Sequence, residues 1–317
     1  MLFLSFQWTT RAQRENTQTK EVRKDGELLI VEHYPLISID AEVRSRISGS
    51  VVSDLTHKDF VISQNGVPQA ISVWEQGYSP LSVVLLVDVL EAHKNRQLVD
   101  RQLQTLKSTL AEYLSAEDEG SIIAVADHPI VLQEFTTDRE LISRAVDRIS
   151  QYTRLTKRTR EERIPLALQE AAKYVHAAHN PKAHNAIILI SNTPKATADR
   201  MVLPEEVVRA IVRSRAIFCW SSSADLTSDF SDVEELPLNK VSVTALMGLT
   251  GGEAIGSEWK SFFERLRERH RIAYVPFAES GNGEFVRIKL ELAPNTKRDS
   301  GDLVLTYPRI AALPSSR

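Results

Sequence analysis

The sequence is poor in most of the features that would narrow its function. Its 317 residues include a single cysteine, Cys219. No internal disulfide, cysteine-based zinc site or iron–sulfur cluster can therefore be built from this chain alone. Cys219 lies in the apolar run 216–220, where a cysteine serves as a small buried hydrophobe. No apolar stretch is long enough to span a bilayer. Neither sign of charge dominates, with 39 lysines and arginines against 42 acids and a formal net charge of −3. Such a balance leaves no electrostatic footprint for nucleic acid. There is no Gly-x-x-x-x-Gly-Lys-Ser/Thr loop, no Gly-x-Gly-x-x-Gly after the first buried strand and no Gly-x-Ser-x-Gly elbow. The reading is of a chain with no cofactor and no catalytic residues.

What is present describes a folded chain, 42% hydrophobic and 26% charged. The one dense basic run, 154–163, also holds Glu161 and Glu162 and reads as a solvated loop or helix start. His176, His179 and His184 fall around a helix end. They lack the glutamate of a zinc-protease helix, and histidines there favour the helix dipole.

Pattern divides the chain into four parts. Residues 1–27 read as a mobile lead-in or signal remnant: Met1 to Phe6 is apolar but has no basic segment before it. Residues 28–78 read as an all-β segment, with strands at 28–32, 36–44, 51–55 and 59–63. The Asn65-Gly66 turn then returns the chain as a partner strand over 70–74. Residues 79–276 alternate strand and helix. Strands are expected at 82–88, 121–126, 130–135, 185–191, 216–220 and 272–275. Helices are expected at 94–115, after Thr137-Asp138, at 165–178, 204–213, 243–249 and 259–269, with Gly251-Gly252 stopping the fifth. Residues 277–317 are β again, at 285–292 and 303–307. The fold class is α/β: a doubly wound, mostly parallel sheet, with a small all-β sandwich formed by the N- and C-terminal segments.

Open parallel sheets bind ligands beyond the carboxyl ends of their strands. The candidates there are Asp88, Leu90, Glu91, Ala92 and His93 after the first strand, Asn192 and Thr193 after the 185–191 strand, and the loop 156–164.

The order of elements resembles the von Willebrand factor A domain, and its details resemble the VWFA-related domain of exported bacterial proteins common in acidobacteria. Leu55-Thr56-His57-Lys58-Asp59-Phe60 is similar to that family's Leu-Thr-x-x-Asp-Phe, and Asn65-Gly66-Val67-Pro68-Gln69 to its Asp-Gly-x-x-Gln turn. The first buried strand, Phe135-Thr136-Thr137-Asp138, Leu249-Thr250-Gly251-Gly252 and Ile272-Ala273-Tyr274-Val275-Pro276 follow in the family's order. The resemblance implies a divalent-cation site of the form Asp-x-Ser-x-Ser, with a Thr and a later Asp, which receives an acidic residue of a protein partner. Here the positions read Asp88, Leu90, Ala92, Ile164 and Asn192, a degenerate set. One carboxylate and one amide make a poor magnesium site, so no metal ligand is carried over. Asp88 is expected to cap the following helix or accept backbone N–H groups, with Glu91 and His93 as possible partner contacts.

The expected function is a non-enzymatic, metal-independent protein-interaction module. Its partner is a protein, not nucleic acid, and the resemblance implies export to the periplasm or beyond. Two alternatives are a structural scaffold of the cell envelope and a hydrolase using Asp88, Glu91 and His93 at the switch-point cleft.

Overall fold

The computed structural model describes residues 17–24, 27–88, 96–152, 158–191, 193–221, 236–256, 258–277, 285–294, 296 and 300–314. Strands β1 (Thr17–Lys24) and β2 (Glu27–Pro35) form an antiparallel hairpin. Strand β1 falls within the stretch 1–27 read from the sequence as a mobile lead-in or signal remnant. Next come β3 (Ile37–Ser45), β4 (Phe60–Gln64), β5 (Val67–Gln69) and β6 (Val73–Glu75). The α/β region follows with β7 (Leu81–Asp88), α1 (Arg96–Tyr113), β8 (Glu119–Val125), β9 (Pro129–Thr136), α2 (Arg139–Ile149), α3 (Arg160–His176) and β10 (His184–Ile190). It continues with α4 (Lys195–Arg200), α5 (Glu205–Ser214), β11 (Ile217–Ser221), α6 (Val243–Thr250), β12 (Ala254–Ile255) and α7 (Trp259–Arg267). Strands β13 (His270–Tyr274), β14 (Phe285–Leu292), β15 (Leu303–Thr306) and β16 (Ile310–Ala312) close the chain.

Six strands form the main sheet in the order β12-β11-β10-β7-β8-β9. All neighbours are parallel except β9, which returns antiparallel to β8. The continuous apolar run of β7 is explained by burial on both faces. Val84 and Leu86 pack beneath α3, α5 and α6. Leu81, Val83, Leu85 and Val87 pack beneath α1, α2 and α7 on the opposite side. Each such side chain contributes about 1.5–3 kcal/mol on burial. The doubly wound, mostly parallel sheet read from the sequence is the architecture observed. The first two sheet strands, β7 and β8, lie side by side, and β10 adds on the other side of β7. The switch point thus falls between the ends of β7 and β10.

The chain ends do pair into a sandwich. One sheet runs β15-β3-β13-β6 and the other β16-β14-β4-β5, and their inner faces share one core of Ile39, Val43, Phe60, Ile62, Ile272, Tyr274, Val286 and Ile288. Three details differ from the sequence pattern. The segment 51–55 contributes only an isolated bridge between Val51 and Arg44. The Asn65-Gly66 turn, with φ of 49° and 81°, pairs β4 with β5 (Gln64 opposite Val67), while β6 joins the other sheet. Strand β13, expected as the last strand of the α/β alternation, instead pairs antiparallel with β3 and β6. Its apolar pattern suits either sheet; its route out of α7 decides. Alternate arginines across that joint each meet a carboxylate: Arg265 with Glu253 (2.8 Å), Arg267 with Asp118, Arg269 with Glu42 (3.3 Å) and Arg271 with Asp40 (3.1 Å). Buried pairs of this kind contribute little net stability, but breaking one is costly, so they hold the joint in one geometry.

Candidate functional site at the strand ends

The switch point places Asp88, at the end of β7, beside Ser191, which directly follows β10. The Asp88 side chain is fully buried. Its Oδ2 accepts hydrogen bonds from Arg160 Nε at 2.9 Å and from the Ser191 hydroxyl at 2.8 Å. Its Oδ1 accepts one from Arg163 Nη1 at 3.3 Å. Both guanidinium groups come from the first turn of α3, where residues three apart share one face. The helix starts at Arg160 because Thr159 and Glu162 form a capping box: the Glu162 carboxylate accepts the Thr159 backbone N–H at 2.8 Å.

Arg163 is wholly buried. Its Nη1 also donates to the carbonyl of Val125, at the end of β8, at 3.0 Å. One guanidinium nitrogen thereby ties β7 to β8, while the Ser191 hydroxyl ties β7 to β10. Among the described residues, Nε and Nη2 of Arg163 find no hydrogen-bond partner. Burial pushes the pKa of Arg163 down and the Asp88 charge opposes it; an arginine starts so high that it stays protonated. Ser191 is fixed in turn. Its hydroxyl lies 2.7 Å from that of buried Thr193, and its carbonyl accepts the Trp220 indole N–H at 3.2 Å.

The expected site residues divide as follows. Asp88 is at the strand end, but it neither caps a helix nor accepts backbone N–H groups among the contacts described; its partners are two arginines and a serine. Ile164 is buried in the core beneath the sheet and offers nothing to the strand ends. Leu90, Glu91, Ala92, His93 and Asn192 lie outside the described residues. Two of the three histidines have different partners, with His179 Nδ1 3.1 Å from Glu119 and His184 Nδ1 2.9 Å from Asp40, and no group of potential metal ligands forms among the described residues.

The basic run, expected to be a solvated loop or helix start, does hold the start of α3, but two of its arginines are turned inward into ion pairs. Arg160 and Arg163 are the partners of Asp88, 72 and 75 residues away in sequence. The signal for this is the Thr159-x-x-Glu162 box, which starts the helix ahead of Pro165 and turns two of the run's arginines onto one helix face.

The divalent cation implied by the resemblance does not fit these residues. The single carboxylate retained is covered by two guanidinium charges, and a magnesium ion at its usual contact distance of about 2.1 Å would have to displace them. One of its ligand positions, Ile164, is apolar and turned into the core.

Residues 83–194 match a family described as von Willebrand factor type A domain. No curated protein matches the chain in sequence. Among solved structures, the chain is similar to the conserved hypothetical protein BatB from Bacteroides thetaiotaomicron, at 13% identity and a TM-score of 0.42 over 59% of this chain and 97% of that one. An aerotolerance-related membrane protein from Bacteroides fragilis matches at 13% identity and a TM-score of 0.40, covering 59% and 98%. A von Willebrand factor type A protein from Catenulispora acidiphila matches at 14% identity and 0.38, covering 82% and 75%.

Proposed function

We propose, from the match of residues 83–194 to the von Willebrand factor type A domain family, that the chain is a non-enzymatic protein-interaction module whose binding face is the strand-end edge of this domain and whose binding needs no metal. The observation that carries the reading is the full engagement of Asp88 by Arg160, Arg163 and Ser191. A magnesium ion could reach this carboxylate only by displacing the guanidinium groups already bonded to both of its oxygens. The same engagement argues against Asp88 as the acid–base group of a hydrolase. We further place the protein in or beyond the bacterial envelope, on its resemblance to exported proteins; among the described residues, no helix is long and apolar enough to cross a membrane.

The test is capture of a protein partner by the immobilised chain in magnesium and in EDTA. Equal capture in both is expected, and loss on chelation would overturn metal independence. Lys195→Glu, at the start of α4 beyond the β10 end, should weaken capture. Lys173→Glu, near the far end of α3, should not. Equal effects of the two would move the binding face elsewhere.

A further inference from the structure

Five oxygen atoms converge at the end of β7. Both Asp88 oxygens, the Val125 carbonyl and the Ser191 and Thr193 hydroxyls gather at the ends of three adjacent strands, with Asp88, Ser191 and Thr193 side chains all buried. Burying a positive charge is costly unless it is paired and hydrogen-bonded. The charge here is the guanidinium of Arg163, itself fully buried and bonded to two of those oxygens through one nitrogen.

We propose that Arg163 is a tethered cation seated in an oxygen-lined socket, where it takes the place of the dissociable divalent cation that the resemblance implies. It ties β7 to β8 through Asp88 and the Val125 carbonyl, and Asp88 in turn holds Ser191 after β10, so the strand ends keep one arrangement at any metal concentration. Arg160, partly exposed at the rim, adds a second positive charge to the same carboxylate. The inference concerns the same site as the proposed function, but it stands or falls on the socket and not on partner binding.

The test removes the tether and supplies the ion. The melting temperature of the full chain is measured for wild type, Arg163→Lys and Arg163→Ala. Arg163→Ala should fall by roughly 10 °C, as expected for a buried carboxylate stripped of a partner. Millimolar guanidinium ion should recover part of that fall, while sodium chloride at equal ionic strength and urea at equal concentration should not. Arg163→Lys, which keeps the charge, should lose less than Arg163→Ala. Wild type should gain nothing from magnesium or manganese. Absence of guanidinium recovery, equal losses for Lys and Ala, or a rise of the wild-type melting temperature with magnesium would each overturn the proposal.

If Arg163→Ala does not fold, Asp88→Asn/Arg163→Met carries the test. Without the carboxylate charge the socket no longer needs a cation, so the double variant should fold and melt above Arg163→Met alone. A double variant no more stable than Arg163→Met would show that the charge was not what Arg163 supplied.

Discussion

His184 Nδ1 lies 2.9 Å from the carboxylate of Asp40. The contact ties the first residue of β10, in the six-stranded sheet, to the middle of β3 in the sandwich. Arg271 completes it, bonding Asp40 Oδ1 at 3.1 Å and the Ala183 carbonyl at 3.0 Å. The two architectures, each legible in its own stretch of sequence, are joined here by buried charge.

That joint predicts an acid-sensitive step. Burial pushes the pKa of Asp40 up, but His184 and Arg271 more than offset it and hold the carboxyl well below the usual carboxylate range. The unfolded chain then takes up this proton first as pH falls. Stability from Asp40 is complete above its ordinary value of 3.8 and is lost below it. Denaturation midpoints measured from about pH 6 down to about pH 3 should drop steeply at the acid end, and Asp40→Asn should flatten that drop while costing about 3 kcal/mol at neutral pH.

A second step belongs to His270. Its ring stacks on Trp74, with centroids 4.9 Å apart at 21°, and Nε2 lies 3.3 Å from the Val52 carbonyl. Burial lowers its pKa, and the Val52 contact opposes this only in part. The folded state therefore favours the neutral ring. Its contribution is full above the ordinary imidazole value of 6.5 and declines as pH falls from there. His270→Phe, which keeps the stack, should remove the slope just below neutral pH and leave the Asp40 step in place.

Asp88→Ala should destabilise the protein by about 3–5 kcal/mol, because it leaves the buried Arg163 charge without its counterion. Urea denaturation measures this directly. A loss under about 1 kcal/mol would mean that Arg163 is not held as described.

Gly252 is required by a close approach. A Cβ there would overlap the Phe218 carbonyl oxygen and stand 2.7 Å from its carbon, backbone atoms of β11 that cannot yield. Gly252→Ala should cost about 3 kcal/mol or more. Gly49 has a φ of +69°, but a Cβ added to it would meet nothing within 4 Å, so Gly49→Ala should cost only about 1 kcal/mol. Thermal melts of the two variants compare tight packing with backbone strain.

The Gly251-Gly252 pair shows how far local pattern reaches. Expected as a helix stop, it does stop α6, with Gly251 at φ 71°. The pattern does not show that the chain passes against β11 and Tyr307 at this point, where a Cβ on Gly251 would come 2.5 Å from the Tyr307 carbonyl carbon. That contact lies between segments distant in sequence.

By itself, the sequence determined the alternation of buried strands and amphipathic helices, the β character of both ends, the Asn65-Gly66 turn and the position of Asp88 at a strand end. Each of these is written in a local period or a local conformational preference. Only the tertiary structure decided that β13 leaves the parallel sheet for the sandwich, and that Arg160 and Arg163 reach across to Asp88. Periodicity reports that a residue is buried; it carries no information about which buried partner it meets. An ion pair spanning 75 residues is set by how α3 packs against the ends of β7 and β8, and that packing exists only once the sheet is assembled.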